Sequence, residues 1–365
     1  MSFGNKLFII YYLRVKKESI IMANRLCYIS RNYRGVSSSG SKAKSDNEIT
    51  LREMGAHNLG LPSTYYHSMI ITFFLDLFGI IKLAVTLKSK DILVLQYPVK
   101  KYYSFICNCA HLHGARVVTV IHDLGSMRRK KLTVSQEIHR LMHSDSVIAS
   151  NEAMAFWLRD HGYKHPLSAL GLFDYRSKSC CSPSEHKVNP NALILVYAGS
   201  LAMRKNSFLL KAQSKIKNYQ LQIYGNSEGL PGLTESDHLH INGFMNSEDF
   251  IDHVKGDFGL VWDGDSLDTC TGSFGEYLHW NSPHKVSFYL RAGLPIVIWR
   301  KAAVAPIVEK EGIGICIDHL SELDELFQSL SSKKIYQMQQ NVYRISERLR
   351  TGEYLKTALG NALNL

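Results

Sequence analysis

The chain has 365 residues, enough for two domains and too many for one ordinary core. Hydrophobic residues are 45% and charged residues 21%, a balance that excludes a disordered chain. Lys and Arg total 43 against 32 Asp and Glu, a net charge of +11 that attracts phosphates, nucleic acid or an anionic membrane. There is no zinc-finger spacing, no aromatic RNP-like run and no isolated basic tail, so an anionic small molecule or lipid phosphate is expected rather than nucleic acid. The cysteines Cys27, Cys107, Cys109, Cys180, Cys181, Cys270 and Cys316 are odd in number and scattered. That suits reduced thiols in a cytoplasm better than a disulfide framework.

Residues 1–21 carry a short apolar run, Leu7–Leu13, flanked by Lys6, Arg14, Lys16 and Lys17. The run is too short to span a bilayer and lacks a small-residue cleavage site. They are expected to be an extension outside the fold, with Met22 as an alternative start. From Leu26 onward, strand-like and helix-like segments alternate. Leu26–Ser30 reads as a strand, followed by a basic Gly/Ser loop, Arg34 to Lys44. A capping box at Ser45-Asp46-Asn47-Glu48 predicts a helix start. Met69–Leu87 is the most hydrophobic stretch, interrupted by Asp76 and Lys82. It is expected to be a buried amphipathic helix, with a helix resting on a membrane surface as the alternative.

Strands follow at Asp91–Tyr97, Arg116–Ile121, Ser146–Ser150 and Leu167–Phe173, with helices at Lys101–His113, Val134–His143 and Glu152–His161 between them. Residues 176–191 lose all periodicity and are the expected linker. A second set of strands runs Ala192–Ala198, Gln220–Tyr224, Phe258–Trp262, Pro295–Trp299 and Ile315–Asp318, with helices at Pro283–Ala292 and Val304–Glu311. The expected organisation is an N-terminal domain over 22–175, the linker, a C-terminal domain over 192–335 and C-terminal helices over 336–365. Two βαβ-rich halves imply an α/β protein with two Rossmann-like, doubly wound parallel sheets facing across a cleft. Ligands bind such sheets beyond the carboxyl ends of their strands.

Four patterns stand at such ends. Gly199-Ser200, followed by Arg204 and Lys205, joins a permissive backbone to cationic side chains, although a glycine there also serves an ordinary βα turn. Asn281-Ser282-Pro283-His284-Lys285 opens a helix, where a diphosphate would meet the helix dipole, an ammonium and an imidazole. A solvated helix start is the plainer reading. His122-Asp123 closes a strand, so Asp123 is placed to take a proton from an attacking hydroxyl; capping the next turn is its structural alternative. The loop through Gly35, Gly40, Lys42 and Lys44 is a candidate holder of an acceptor bearing a lipid diphosphate, or a mobile surface loop. Cys107, Cys109, His111 and His113 alternate like metal ligands, but a helix sends them to two faces, so zinc is not expected.

The run GLVWDGDSLDTCTGSFGEYLHWNSPHKVSFYL, then LPIVIW and GIG, within Phe258–Gly314, resembles the bacterial β-1,6-galactofuranosyltransferases of the O-antigen type. These are related to the glucosyltransferases that extend glycans on serine-rich adhesins. GSKAKSD, VIHDL, FDY, YAGSL and RTGEY extend the likeness over nearly everything after Met22. The resemblance implies a GT-B fold, a UDP-sugar donor held mainly by the C-terminal domain, a glycan or lipid-linked acceptor, and no essential metal. By it, Gly199, Ser200, Lys205, Tyr224, Trp262, Asp263, Asn281, His284 and Lys285 are donor-side candidates. Asp123 with His122 is the catalytic candidate. Arg128, Lys42, Gly35 and Gly40 fall on the acceptor side, the two glycines in a loop beneath the donor. Asp263-Gly264-Asp265 reads as D-x-D, but Lys and helix N-termini are expected to do a metal's electrostatic work here. The E-x7-E pattern of many retaining GT-B enzymes is missing, which agrees with inversion by a single displacement. A cytoplasmic location is expected, with contact at the inner face of the plasma membrane; a homo-oligomer is left open. The alternatives are a non-catalytic nucleotide-binding partner subunit and a nicotinamide-dependent enzyme, the latter disfavoured by the absent glycine fingerprint.

Overall fold

The computed structural model describes residues 24–33, 39–99, 102–128, 132–179, 189 and 192–363. The extension 1–21, Gly35 and most of the linker lie outside them. The first sheet contains β1 (Leu26–Tyr28), β2 (His57–Asn58), β3 (Ile92–Tyr97), β4 (Arg116–Ile121), β5 (Ser146–Ala149) and β6 (Leu167–Ala169), in the order β2-β1-β3-β4-β5-β6. The second contains β7 (Leu193–Ala198), β8 (Tyr219–Tyr224), β9 (Leu239–Gly243), β10 (Phe258–Val261), β11 (Ile296–Trp299) and β12 (Gly314–Ile317), in the order β12-β11-β10-β7-β8-β9. Neighbouring strands in both sheets pair in parallel. Runs such as Ile92–Tyr97 and Ile296–Trp299 are apolar because helices cover both faces of a parallel sheet. The edge strands β2 and β9 escaped the sequence reading: each is paired on one side, and HN and LHING carry little apolar signal.

Two expectations about helices fail. The first helix begins at Ser39, not Ser45. The hydroxyl of Ser45 donates back to the Lys42 carbonyl instead of capping, and Lys42 pairs with Asp46 one turn on at 2.6 Å. Gly40, Lys42 and Lys44 are therefore helical rather than parts of a loop. The helix Met69–Thr86 buries only Thr72, Gly79, Ile80 and Leu83, so most of its apolar surface faces outward.

The two C-terminal helices divide between the sheets. Ser332–Thr351 inserts Ile335, Met338, Val342, Ile345 and Leu349 into the core around the second sheet. Gly352, at φ +74°, ends that helix. Glu353–Leu363 then packs Leu355, Ala358, Leu359 and Ala362 with Tyr28, Val94, Val120 and Ile148 of the first sheet. The chain thus crosses between halves twice. Asp174, just before the linker, accepts hydrogen bonds from Tyr354 N at 3.1 Å and Leu355 N at 2.8 Å, tying the two crossings together.

Burial pushes the Asp174 carboxyl up to about 7, against the lowering effect of the Leu355 and Tyr354 amides. An unfolded Asp titrates near ~3.9. The folded protein therefore binds the extra proton between these values, and this carboxyl's contribution to stability is lost as pH rises toward 7. The Asp174→Asn variant should gain on the natural chain across pH 4 to 7, by up to about 1.4 kcal/mol per pH unit, and the difference should level off above pH 7. Paired thermal unfolding curves check this; a pH-independent difference between the two proteins would remove Asp174 as the titrating group.

Candidate donor and acceptor site

Strand order reverses between β7 and β10 in the second sheet. A ligand-binding crevice opens at such a point, and Gly199 and Asp263 stand at the ends of those two strands. Lys285 comes from the first turn of the helix His284–Arg291, whose start has no side-chain cap. Its Nζ lies 3.7 Å from the centroid of the Tyr197 ring and close behind Gly199. Part of the side chain is exposed, yet Nζ itself is sheltered and has no hydrogen-bond partner. Burial drives this ammonium well below the ordinary lysine range; Lys205 pushes the same way and Asp263 opposes. A buried cation without an anion is costly, so the arrangement favours an arriving negative group. Lys205 Nζ sits 3.7 Å from Asp263, whose carboxylate lies 3.5 Å from the Tyr197 hydroxyl. The Asn281 amide oxygen is also sheltered and unpartnered.

Gly199 serves differently from expected. Its N–H donates to the Tyr224 carbonyl, so it is not free to meet an anion. A Cβ there would meet Lys285 only in ordinary contact, 3.6 Å from Cε; what requires glycine is φ +142°. The tight approach is at Gly225, where a Cβ would fall 2.3 Å from the Gly199 carbonyl oxygen. Ser200 is exposed beside Gly199.

Across the cleft, Asp123 follows β4 and is held by Arg128. The buried Glu137 carboxylate accepts from Gly125 N at 2.7 Å, Ser126 N at 2.8 Å and the Tyr97 hydroxyl at 2.8 Å, which fixes the loop carrying Asp123 and Arg128. The Leu124 amide donates to the Tyr277 hydroxyl at 2.9 Å, tying that loop to the other half. Phe274 lies among three cations: Arg204 at 5.3 Å, Lys205 at 5.8 Å and Arg128 at 5.9 Å from its ring centroid. Arg128 thus joins the positive cluster of the second sheet. Sequence reasoning missed Phe274, Tyr277 and Glu137. The first two lie inside the run that carries the resemblance, but neither offers a charge or motif of its own.

His122 stacks on Phe173 with ring centroids 5.0 Å apart. The Gln96 amide nitrogen donates to the Lys44 carbonyl, which turns its oxygen toward His122 Nε2 at 3.0 Å. The Asn47 amide nitrogen lies 3.5 Å from the same ring nitrogen. Burial, with Lys44 and His284 nearby, holds it well below the usual imidazole range. Burial thus keeps His122 neutral. His284 stacks on Tyr175 at 4.9 Å and is pushed down to about 4, chiefly by burial and then by Lys42.

Three candidates turn out to be structural. Trp262 is fully buried against Trp299 and gives its indole N–H to the Ser266 carbonyl at 2.9 Å, because it sits one residue beyond β10 facing the core. The Tyr224 ring packs edge-on to Phe250, and its hydroxyl donates to Gln222. The Lys42 ammonium is spent on Asp46, the Arg176 carbonyl and the Tyr175 ring. Asp265 is exposed and accepts from Thr271, apart from the Lys205–Asp263 pair.

In the first sheet, strand order reverses between β1 and β3. A cavity of about 220 Å³ opens there, lined by Ser30, Arg31, Tyr33 and Gln96 from the strand ends and by Phe73 and Ile106 from two helices. Gln96 links it to His122.

The sequence matches the family profile "Glucosyltransferase 3-like, N-terminal domain" over residues 26–172 and "Glucosyltransferase 3-like, C-terminal domain" over 195–362. It is 31% identical over 280 residues to beta-1,6-galactofuranosyltransferase WbbI of Escherichia coli (strain K12), covering 76% of this chain and 81% of that one. It is 22% identical over 279 residues to glucosyltransferase 3 of Streptococcus parasanguinis, covering 75% and 78%. Among solved structures, the apo form of the lipopolysaccharide outer core galactosyltransferase WaaB superposes with a TM-score of 0.52 at 12% identity, covering 92% of this chain and 99% of that chain. Alpha,alpha-trehalose 6-phosphate synthase from Burkholderia multivorans gives 0.56 at 10% identity, covering 93% and 96%. The fold is GT-B. The chain belongs to the Glucosyltransferase 3-like family and is a glycosyltransferase.

Proposed function

We propose that this glycosyltransferase moves a hexosyl group from a UDP-sugar to a sugar hydroxyl of a cell-envelope glycan or lipid-linked oligosaccharide, with inversion. Galactofuranose in β-1,6 linkage is the preferred donor and bond, by likeness to the relative of that name. The observation that carries the reading is the sheltered, unpartnered Lys285 ammonium behind Gly199, with Lys205, Arg204 and Arg128 around Phe274. A diphosphate seated there meets four cations and an uncapped helix start. As the bond to the sugar breaks, charge grows on the leaving phosphate, and these groups stabilise it. Asp123, across the cleft, takes the proton of the attacking hydroxyl; Arg128 and the Glu137-braced loop aim it. The cavity between β1 and β3 receives the acceptor.

The donor class is tested by thermal shift with UDP, UDP-galactofuranose, UDP-galactopyranose, UDP-glucose, GDP and NAD. Stabilisation by UDP compounds alone is expected; an equal response to GDP or NAD would sink the reading.

Because burial and Lys205 hold its pKa down, Lys285 should gain a proton as an anion arrives. Across the alkaline range UDP binding should take up protons, read by calorimetry in two buffers of different ionisation enthalpy. Lys285→Met should abolish that uptake and weaken UDP at least tenfold. Unchanged uptake in the variant would clear Lys285 of the role.

Asp123→Asn should lower kcat by roughly 10²- to 10⁴-fold, the range of a lost general base, while UDP affinity stays within about threefold. Steady-state kinetics and calorimetry on the same preparation measure both. Full activity in the variant would move the base elsewhere.

A further inference from the structure

The helix Met69–Thr86 is apolar along its length, MIITFFLDLFGIIKLAVT, yet only Thr72, Gly79, Ile80 and Leu83 are buried. Ile70, Phe74, Phe78, Ile81 and Val85 are 50–76% exposed. At 3.6 residues per turn these five fall within about 80° of arc, opposite the buried side. Ile71 and Phe73 widen the stripe, and the helix packed beside it, Tyr103–Leu112, exposes Phe105 and Leu112. A soluble monomer rarely shows so large a continuous apolar face without a use for it.

The ends of this face are chemically distinct. Tyr65 and Tyr66, both exposed, precede the helix. Lys88 and Lys90, exposed, follow it, and Lys82 lies one turn before its end. Asp76 is the one acidic residue between Tyr65 and Lys90, and it lies on the protein side, lining the cavity between β1 and β3. Amphipathic aromatics at one end, cations at the other and hydrocarbon between them match a bilayer interface. A second copy of this chain carries the same net charge of +11, which opposes pairing on this face.

The helix is long and apolar enough to cross a membrane, but its connections forbid it. It lies between β2 and β3, which stand in the same parallel sheet on either side of β1. Threading it through a bilayer would pull that sheet apart. A helix bound in this way lies in the plane of the interface, its apolar side entering the headgroup and acyl boundary by ~5–10 Å.

We infer that the face formed by Met69–Thr86, with Phe105 and Leu112, docks the protein on an anionic phospholipid bilayer. The same helix supplies Met69, Phe73 and Ile80 to the wall of the cavity that leads to Gln96 and His122. Docking therefore sets the mouth of that cavity at the depth of the lipid headgroups, where the sugar of a lipid-anchored acceptor would stand. This inference does not depend on the identity of the donor.

The test is flotation of the full chain with vesicles, in the absence of nucleotide or acceptor. One set contains phosphatidylethanolamine with about 30% phosphatidylglycerol, a basic-residue target; the other is phosphatidylcholine alone. The chain should float with the anionic set. The triple variant Ile70→Gln, Phe74→Gln, Phe78→Gln should lose at least tenfold in bound fraction. Its circular dichroism melt should match the natural chain, since all three side chains are exposed. Lys88→Ser with Lys90→Ser should reduce the preference for anionic vesicles and its salt dependence. The inference is overturned if the natural chain floats with neither set, or if the triple variant floats as well as the natural chain. It is equally overturned if light scattering finds a dimer that the triple variant dissolves while vesicle binding is absent.

Discussion

A sheltered lysine with no hydrogen-bond partner is the constraint around which the second crevice is built. Lys285 is brought into the crevice by the first turn of a helix whose apolar side, Val286, Tyr289 and Leu290, is locked into the second core. The Tyr289 hydroxyl, itself buried, receives the Ala198 amide at 2.7 Å and so fixes the end of β7 against that helix. The helix therefore holds Nζ sheltered behind Gly199 and against the Tyr197 ring. Lys205 and Asp263, paired at 3.7 Å, act on it with opposite sign.

The second determinant is the seam that keeps the two crevices face to face. Ser282 donates toward the Ser150 and Gly171 carbonyls at 3.0 and 2.9 Å and lies 3.1 Å from the Asn151 amide, which also reaches the Trp280 carbonyl. Ser287 donates to the Phe173 carbonyl at 2.5 Å. These are bonds from the second half to the carboxyl ends of strands in the first. Ser282 stands three residues before Lys285 and Ser287 two after it, so the helix start that carries the lysine also holds the domains in register.

Much of this was legible in the sequence, because apolar runs in parallel strands leave little choice and the strand ends are where polar residues must collect. The pairing of Gly199 with Lys285, 86 residues apart, followed from reading strand ends as one surface. What escaped was set by tertiary contacts. Trp262 and Tyr224 follow strands just as Asp263 does, and only the direction of each side chain separates core from crevice. The capping box at Ser45 was a sound local pattern, overridden when Asp46, Asn47 and Glu48 found buried partners within a longer helix. The apolar stretch from Met69 has the composition of a core helix, and composition does not say how many neighbours a helix will have. Glu137 looked like an ordinary surface residue because its role lies in the backbone amides it collects, which no sequence spacing displays.

The return of the last helix to the first sheet has a mechanical meaning. Both covalent passages between the halves, at Asp174 and at Gly352, are stapled to each other through the amides of Tyr354 and Leu355. The halves are therefore joined at a pivot rather than along a flexible tether. A gape of the cleft would swing about that spot like scissor blades about their rivet, and would have to release the Leu124–Tyr277 bond and the Phe274–Arg128 contact. The substrates would enter where the blades part most, and the chemistry would proceed only once the tips have met again.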